Sequence, residues 1–273
     1  FSIGREICQN ALDASDGSGT VTLKFELKTI PINELPDVDG FRATISACSD
    51  EAQNESEKAK RFFTKATNEI NSGQIKVLQI SDYQTNGMKG PSVNGTPFYA
   101  FMKAKGQSKK EDDAAGSFGI GQFAAFSISK FRTIFVSSVS RLDNGNLEQF
   151  TQGKSILMSH KSGDKLKQGV GYWGVEDRCK PVVGTTDYLK FWQRADSEDD
   201  YDNKIGTKIS IVGFDEKENW NWSLFVAISE SFFGAINEKK LKVSIDGQKL
   251  DHDSIGLIFE HPKLLKLIEK NLS

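Results

Sequence analysis

The chain has 273 residues, 37% of them hydrophobic and 26% charged, with a formal net charge of -2. That length suits one large domain or two small ones, and the near-neutral charge argues against wholesale attraction to nucleic acid or an anionic membrane, leaving room for a local basic patch. Cys8, Cys48 and Cys179 form no CxxC pair and His160, His252 and His261 are scattered, so a disulfide framework, a zinc site and a His-based metal site are not expected, and a reducing, cytoplasmic compartment is.

The chain begins at Phe1, without Met, inside a polar-striped helix, as a fragment of a longer chain would. In "REICQNALDAS", residues 5–15, Glu6, Asn10 and Asp13 stand at offsets of four and three, on one helical face beside an apolar stripe of Ile7, Ala11 and Ala14. Taken alone, that pattern reads first as an ordinary amphipathic surface helix with its polar face in water. "TVTLKFELKTI" alternates as a half-buried strand, and "PINELPDVDG" reads as a loop. "SEKAKRFFTKATNEINSG" reads as a helix closed by Gly73, and "IKVLQISDY" as a strand. Residues 87–116 are rich in Gly, Lys, Ser and Asp and predict a long mobile segment broken by "FYAFM". "GQFAAFSISKF" predicts a helix and "RTIFVSSVS" a strand, and turn signals in 141–185 predict hairpins. "DSEDDYDNK" is a charged loop, "GTKISIVGF" a strand, "WSLFVAISESFFGAI" an apolar helix, and "KLKVSIDGQKLD" a hairpin turning at Asp246-Gly247. No apolar run approaches ~20 residues, so no membrane span is expected, and no signal peptide is evident. Hairpins among the strands predict a mixed sheet.

Three further stretches carry chemistry. In "ISDYQTNGM", Asp82 ends an apolar strand, where a half-buried carboxylate needs donors such as an adenine amino group. It would equally serve as the cap of a turn. In "GSFGIGQF", Gly116, Gly119 and Gly121 precede a helix, as in loops whose amides cradle phosphate oxygens. The order GxxGxG is neither a dinucleotide-binding fingerprint nor a Walker loop, and a merely flexible loop is the plain alternative. In "GTKISI", Thr207 opens a strand, where its hydroxyl is placed to share a water with Asp82 or simply to favour the strand.

Taken in order, "EICQNALDA", "DYQTNGM", "GSFGIGQ" and "GTKISI" resemble the N-box, two glycine boxes and last strand motif of the GHKL ATPases, the superfamily of gyrase B subunits, ninety-kilodalton heat-shock chaperones, histidine kinases and MutL proteins. The resemblance implies an α+β Bergerat-type two-layer sandwich, with a mixed, mainly antiparallel sheet and helices on one face. It spans 1–235, with 236–273 as the start of a following C-terminal element. It implies ATP and Mg²⁺ as ligands and ATP hydrolysis as the activity. Glu6 would be the general base and Asn10 the Mg²⁺ ligand, while Asp13 would help order the adenine end or the neighbouring loop. Asp82 would read adenine with Thr207 beside it, and Gly87 and Met88 would shape the adenine pocket. Residues 89–115 would form a lid, and Gly116, Ser117, Phe118, Gly119, Ile120 and Gly121 would hold the phosphates.

Two departures stand out. Gln84 occupies the usual glycine position, with Gly87 one residue late. Gln122 stands where relatives often carry Lys, so a phosphate-facing charge is missing or is supplied by Lys103, Lys105, Lys109 or Lys110. The style of "GSFGIGQFAAFSISKFRTIFVSS" is similar to bacterial ATP-binding proteins of this superfamily linked to DNA modification or phage defence. The implied device is a lid-closure switch acting through a homodimer or a partner protein, with an indirect link to DNA and none to a membrane. The alternatives are a nucleotide-binding regulatory module with little turnover and a histidine-kinase-like phosphotransferase.

Overall fold

The computed structural model describes residues 2–90, 93–103, 121–194 and 204–258. In chain order the elements are α1 (Ser2–Asp13), β1 (Val21–Pro31), α2 (Val38–Ala52), α3 (Glu57–Ile70), β2 (Gln74–Tyr83), α4 (Pro97–Lys103), α5 (Gly121–Ser127), β3 (Ser129–Arg141) and β4 (Leu147–Ile156). They continue with β5 (His160–Ser162), β6 (Lys165–Lys167), β7 (Val170–Trp173), β8 (Val182–Val183), β9 (Gly206–Phe214), α6 (Trp220–Asn237), β10 (Leu241–Ile245), β11 (Gln248–Leu250) and α7 (Ile255–Ile258). One large sheet runs in the order β11-β10-β1-β2-β9-β3-β4-β7, with β8 also on β4, and β5–β6 form a separate hairpin. The β1–β10 pair is parallel and the other pairs are antiparallel. The fold is thus mixed α/β around a mixed, mainly antiparallel sheet.

Strand alternation assigns the side chains to two faces. Leu23, Phe25, Leu78, Ile80, Ile134, Val136 and Ile211 meet Ile3, Cys8 and Ala11 of α1 and Leu224, Phe225 and Ile228 of α6. The intervening residues Ile75, Val77, Phe131, Phe135 and Val212 meet Phe41 and Ile45 of α2 and Ala66 and Ile70 of α3. Helices therefore cover both faces of the central strands, which corrects the expected two-layer sandwich with helices on one face. The cause is composition: β2, β3 and β9 are apolar at odd and even positions alike, and each face needs a cover.

α2 occupies residues that the loop reading of 31–40 touches and that no predicted helix includes. Asp37 caps it by accepting from the Gly40 amide at 3.3 Å, and Ser56 caps α3 through the Ala59 amide, contacts of about 1 kcal/mol each. The helix predicted over "GQFAAFSISKF" stops at Ser127, and β3 takes the remainder from Ser129. Residues 241–250, read as the start of a following element, lie in the main sheet, with Leu241, Val243, Ile245 and Leu250 in the α1-face core. No helix among the described residues is long and apolar enough to cross a membrane.

Candidate functional site

Among the described residues, the stretches around Asp82 and Thr207 meet on the α1 face, next to the end of α1. Asp82, near the end of β2, continues the row Leu78–Ile80 on that face. Its Oδ1 accepts from the Thr207 amide at 2.9 Å and from the Thr85 hydroxyl. Gly206 makes this approach possible. Its φ is +138°, and a Cβ there would lie 2.7 Å from both Asp82 Oδ1 and Arg194 Nη2, leaving room for no side chain. The Thr207 hydroxyl lies 3.0 Å from Ser138 Oγ, which accepts from the Met88 amide at 2.7 Å. It is thus the backbone amide of Thr207, rather than its hydroxyl, that reaches Asp82. Asp82, Thr207 and Ser138 form a polar row across three adjacent strands.

Behind this row lies Arg194, 6% exposed. Its guanidinium donates to the carbonyls of Asp82 (2.6 Å), Lys204 (2.9 Å), Thr207 (3.1 Å) and Ile205 (3.2 Å) and sits 4.6 Å over the Tyr83 ring. Burial raises the Asp82 carboxyl above the ordinary carboxylate range, opposed by the Arg194 charge and the bonds from Thr85 and Thr207. Arg194 and Ser138 are absent from the sequence reading. Arg194 satisfies backbone carbonyls from distant segments, and nothing in "FWQRAD" signals that.

On α1, Glu6 and Asn10 are partly buried, and their side chains accept or donate no hydrogen bond among the described residues. Glu6 Oε1 is buried without a hydrogen-bond partner among the described residues. Asp13, by contrast, is exposed and accepts from Gln9 Nε2 at 2.8 Å. The end of α1 is tied to the Asp82 loop. The Asn86 amide donates to Ala14 O at 2.8 Å, and its side chain donates to Ala14 O and Ser15 O at 3.2 Å each. The two motifs, distant in sequence, therefore stand side by side. Gln84 and Gly87 both take left-handed backbone, φ +56° and +61°, so the loop turns with Gln84 where a glycine was expected. Gly87 is pressed on β3: a Cβ there would meet Val139 O at 2.3 Å. Met88 packs against the α1-face core. A cavity of about 410 Å³ adjoins this loop, lined among others by Asp16, Thr85, Asn86, Lys89 and Arg141.

Part of the expected lid is a packed element. α4 buries Phe98, Phe101 and Met102 in the same core, with Phe98 5.8 Å from Phe150. Lys103 donates to Cys179 O at 2.5 Å and lies over the Tyr172 ring. Gly121 opens α5. Gly116, Ser117, Phe118, Gly119 and Ile120, with Lys105, Lys109 and Lys110, lie outside the described residues.

No group of three or more His, Cys, Asp or Glu among the described residues is placed to hold a metal ion. A cation bound through phosphates, one side-chain oxygen and water needs no such group, and the unengaged Asn10 amide and orphaned Glu6 oxygen fit that kind of site. On the other side, Cys48 Sγ lies 3.4 Å from His160 Nδ1, but burial pushes the thiol up to about 11, so it is a packed thiol rather than a nucleophile. No protein-family model matches the chain, and a search of curated proteins finds no match.

Proposed function

We propose that this chain is a Mg²⁺-dependent ATP-binding and ATP-hydrolysing domain of GHKL type, its Bergerat-like α1 face holding the nucleotide and its α2–α3 pair an addition on the opposite face. The observation that carries the reading is the orphaned Glu6 Oε1 on a helix pinned beside Asp82. A buried carboxylate oxygen without a donor costs about 1–3 kcal/mol or more, and such a cost fits a group that meets its partner in the bound state. Asp82 Oδ1 is engaged by Thr207 and Thr85. Oδ2, which receives no hydrogen bond from the described residues, is left to accept from the adenine amino group. Mg²⁺, when bound, would neutralise phosphate charge, with Asn10 Oδ1 as its protein ligand. Glu6 would orient a water on the terminal phosphorus and take its proton as the new P–O bond forms and the bond to the ADP oxygen breaks. Closure of the segment before α5, with dimerisation or docking of a partner protein, would couple this cycle to a DNA-related or defence process in a bacterial cell.

Glu6→Ala tests the assignment. It should keep ATP bound and lower single-turnover hydrolysis by about 10²–10⁴-fold, whereas Asn10→Ala should impair binding and turnover together. Parental turnover in Glu6→Ala would remove Glu6 as the base. Binding without turnover in the parent, with its partner present, would favour the regulatory-module reading.

A further inference from the structure

Lys154 is the buried cation that the proposed mechanism leaves unused. It sits on β4, 6% exposed, and its side chain makes no hydrogen bond or ion pair among the described residues. Its ammonium group lies 5.8 Å from the Phe126 ring centre on α5. Gln152, two residues earlier on the same face, is fully buried. Its Nε2 donates to Cys179 O at 2.6 Å, while its Oε1 has no partner. Lys103 reaches the same Cys179 carbonyl from α4. A lone ammonium and a lone amide oxygen, both removed from water, are costly unless something meets them. Burial, and after it the charge of Lys103, bring the pKa of Lys154 down to about 8. Both facts favour an arriving anion.

The register gives the reach. Lys154 pairs with Ile134 on β3, while Asp82 lies level with Thr207, Ser138 and Phe150. The two side chains thus share a face, three strands apart and four residues out of level along β4, a separation of roughly 20 Å between Cα atoms. That separation is of the order of an extended nucleoside triphosphate, so one ligand lying along this face would reach from one residue to the other.

We propose that Lys154 is an oxyanion-binding residue that takes the terminal phosphates of the nucleotide from the sheet side, supplying the charge that Gln122 lacks, with Gln152 Oε1 accepting from a hydroxyl or bound water beside them. This rests on the ATP reading for its ligand, but the cation itself can be tested without adenine. Titrate the parent, Lys154→Met, Lys154→Arg and Asp82→Asn with tripolyphosphate, adenosine and a non-hydrolysable ATP analogue, and record thermal midpoints. Lys154→Met should lose affinity for tripolyphosphate and the analogue by on the order of tenfold to hundredfold. It should keep parental affinity for adenosine, Lys154→Arg should recover part of the loss, and the midpoint should not fall because a lone buried charge has been removed. Parental affinity of Lys154→Met for tripolyphosphate would overturn the proposal, as would a parent that binds no tripolyphosphate. If tripolyphosphate binding depends on Lys154 while adenosine and Asp82→Asn show no adenine site, the anion site stands and the ATP reading falls.

Discussion

The two ends of the α1 face are built on opposite terms. At the Asp82 end, several polar groups are answered: Asp82 Oδ1 by Thr207 and Thr85, Ser138 by Thr207 and Met88, and, behind them on the other side of the strands, Arg194 by four carbonyls. Elsewhere on the same face Glu6 Oε1 and Gln152 Oε1 are buried and unanswered among the described residues. Satisfied groups hold a fold in one arrangement, and unsatisfied ones cost stability until a ligand arrives. The contrast separates the residues that fix this face from those that, under the proposed function, meet their partner in the ligand.

The largest way to break the contrast is to remove its anchor. Arg194→Ala strips four carbonyls of their donor and leaves the Asp82 carboxylate without its cation, so chemical denaturation should show a loss of about 3–5 kcal/mol. A stability within 1 kcal/mol of the parent, on the same scale, would deny Arg194 that part. Gly206→Ala should cost about 1–3 kcal/mol from backbone strain and the clash with Asp82 and Arg194, measured in the same way. Hydrogen exchange reports on α4. Since Phe98, Phe101 and Met102 are buried, amides in 97–103 should be protected before any nucleotide is added, unlike those of a free lid. The smallest effect belongs to Asp13→Ala. Its exposed carboxylate holds only Gln9 among the described residues, so stability should move by no more than about 0.5 kcal/mol and ATP affinity should stay at the parental level. A large loss of affinity would instead bear out the expected role of Asp13 at the adenine end.

Legibility in the sequence followed the same division. The stripe of Glu6 and Asn10 and the strand-end Asp82 were visible because local periodicity places them. Helical cover on both faces was also written in "IKVLQI", where Ile75 and Val77 alternate with Leu78 and Ile80, but such a run suits a buried strand or a helix until neighbours decide. α2 carries Phe41, Ile45, Cys48 and Ala52 at helical spacing, diluted by small and polar residues and entered through a loop-like "PDVDG". Arg194, Ser138 and Lys154 were illegible because their meaning comes from which strands lie beside them, and sheet order is a long-range property.

The most direct measurement is the affinity of the parent and of Asp82→Asn for a non-hydrolysable ATP analogue with Mg²⁺, read beside their stability across pH. Both donors seen by Asp82 meet Oδ1, so an amide oxygen can keep them, while the new NH₂ would face the adenine amine. Asp82→Asn should lose affinity on the order of tenfold to hundredfold. It should also be at least as stable as the parent near neutral pH. The folded carboxyl is raised, so its ionisation costs the parent stability as pH climbs from the unfolded value through the folded one. Asp82→Asn that binds the analogue as tightly as the parent, or a parent that does not bind it, would contradict the claim that this face is a nucleotide site.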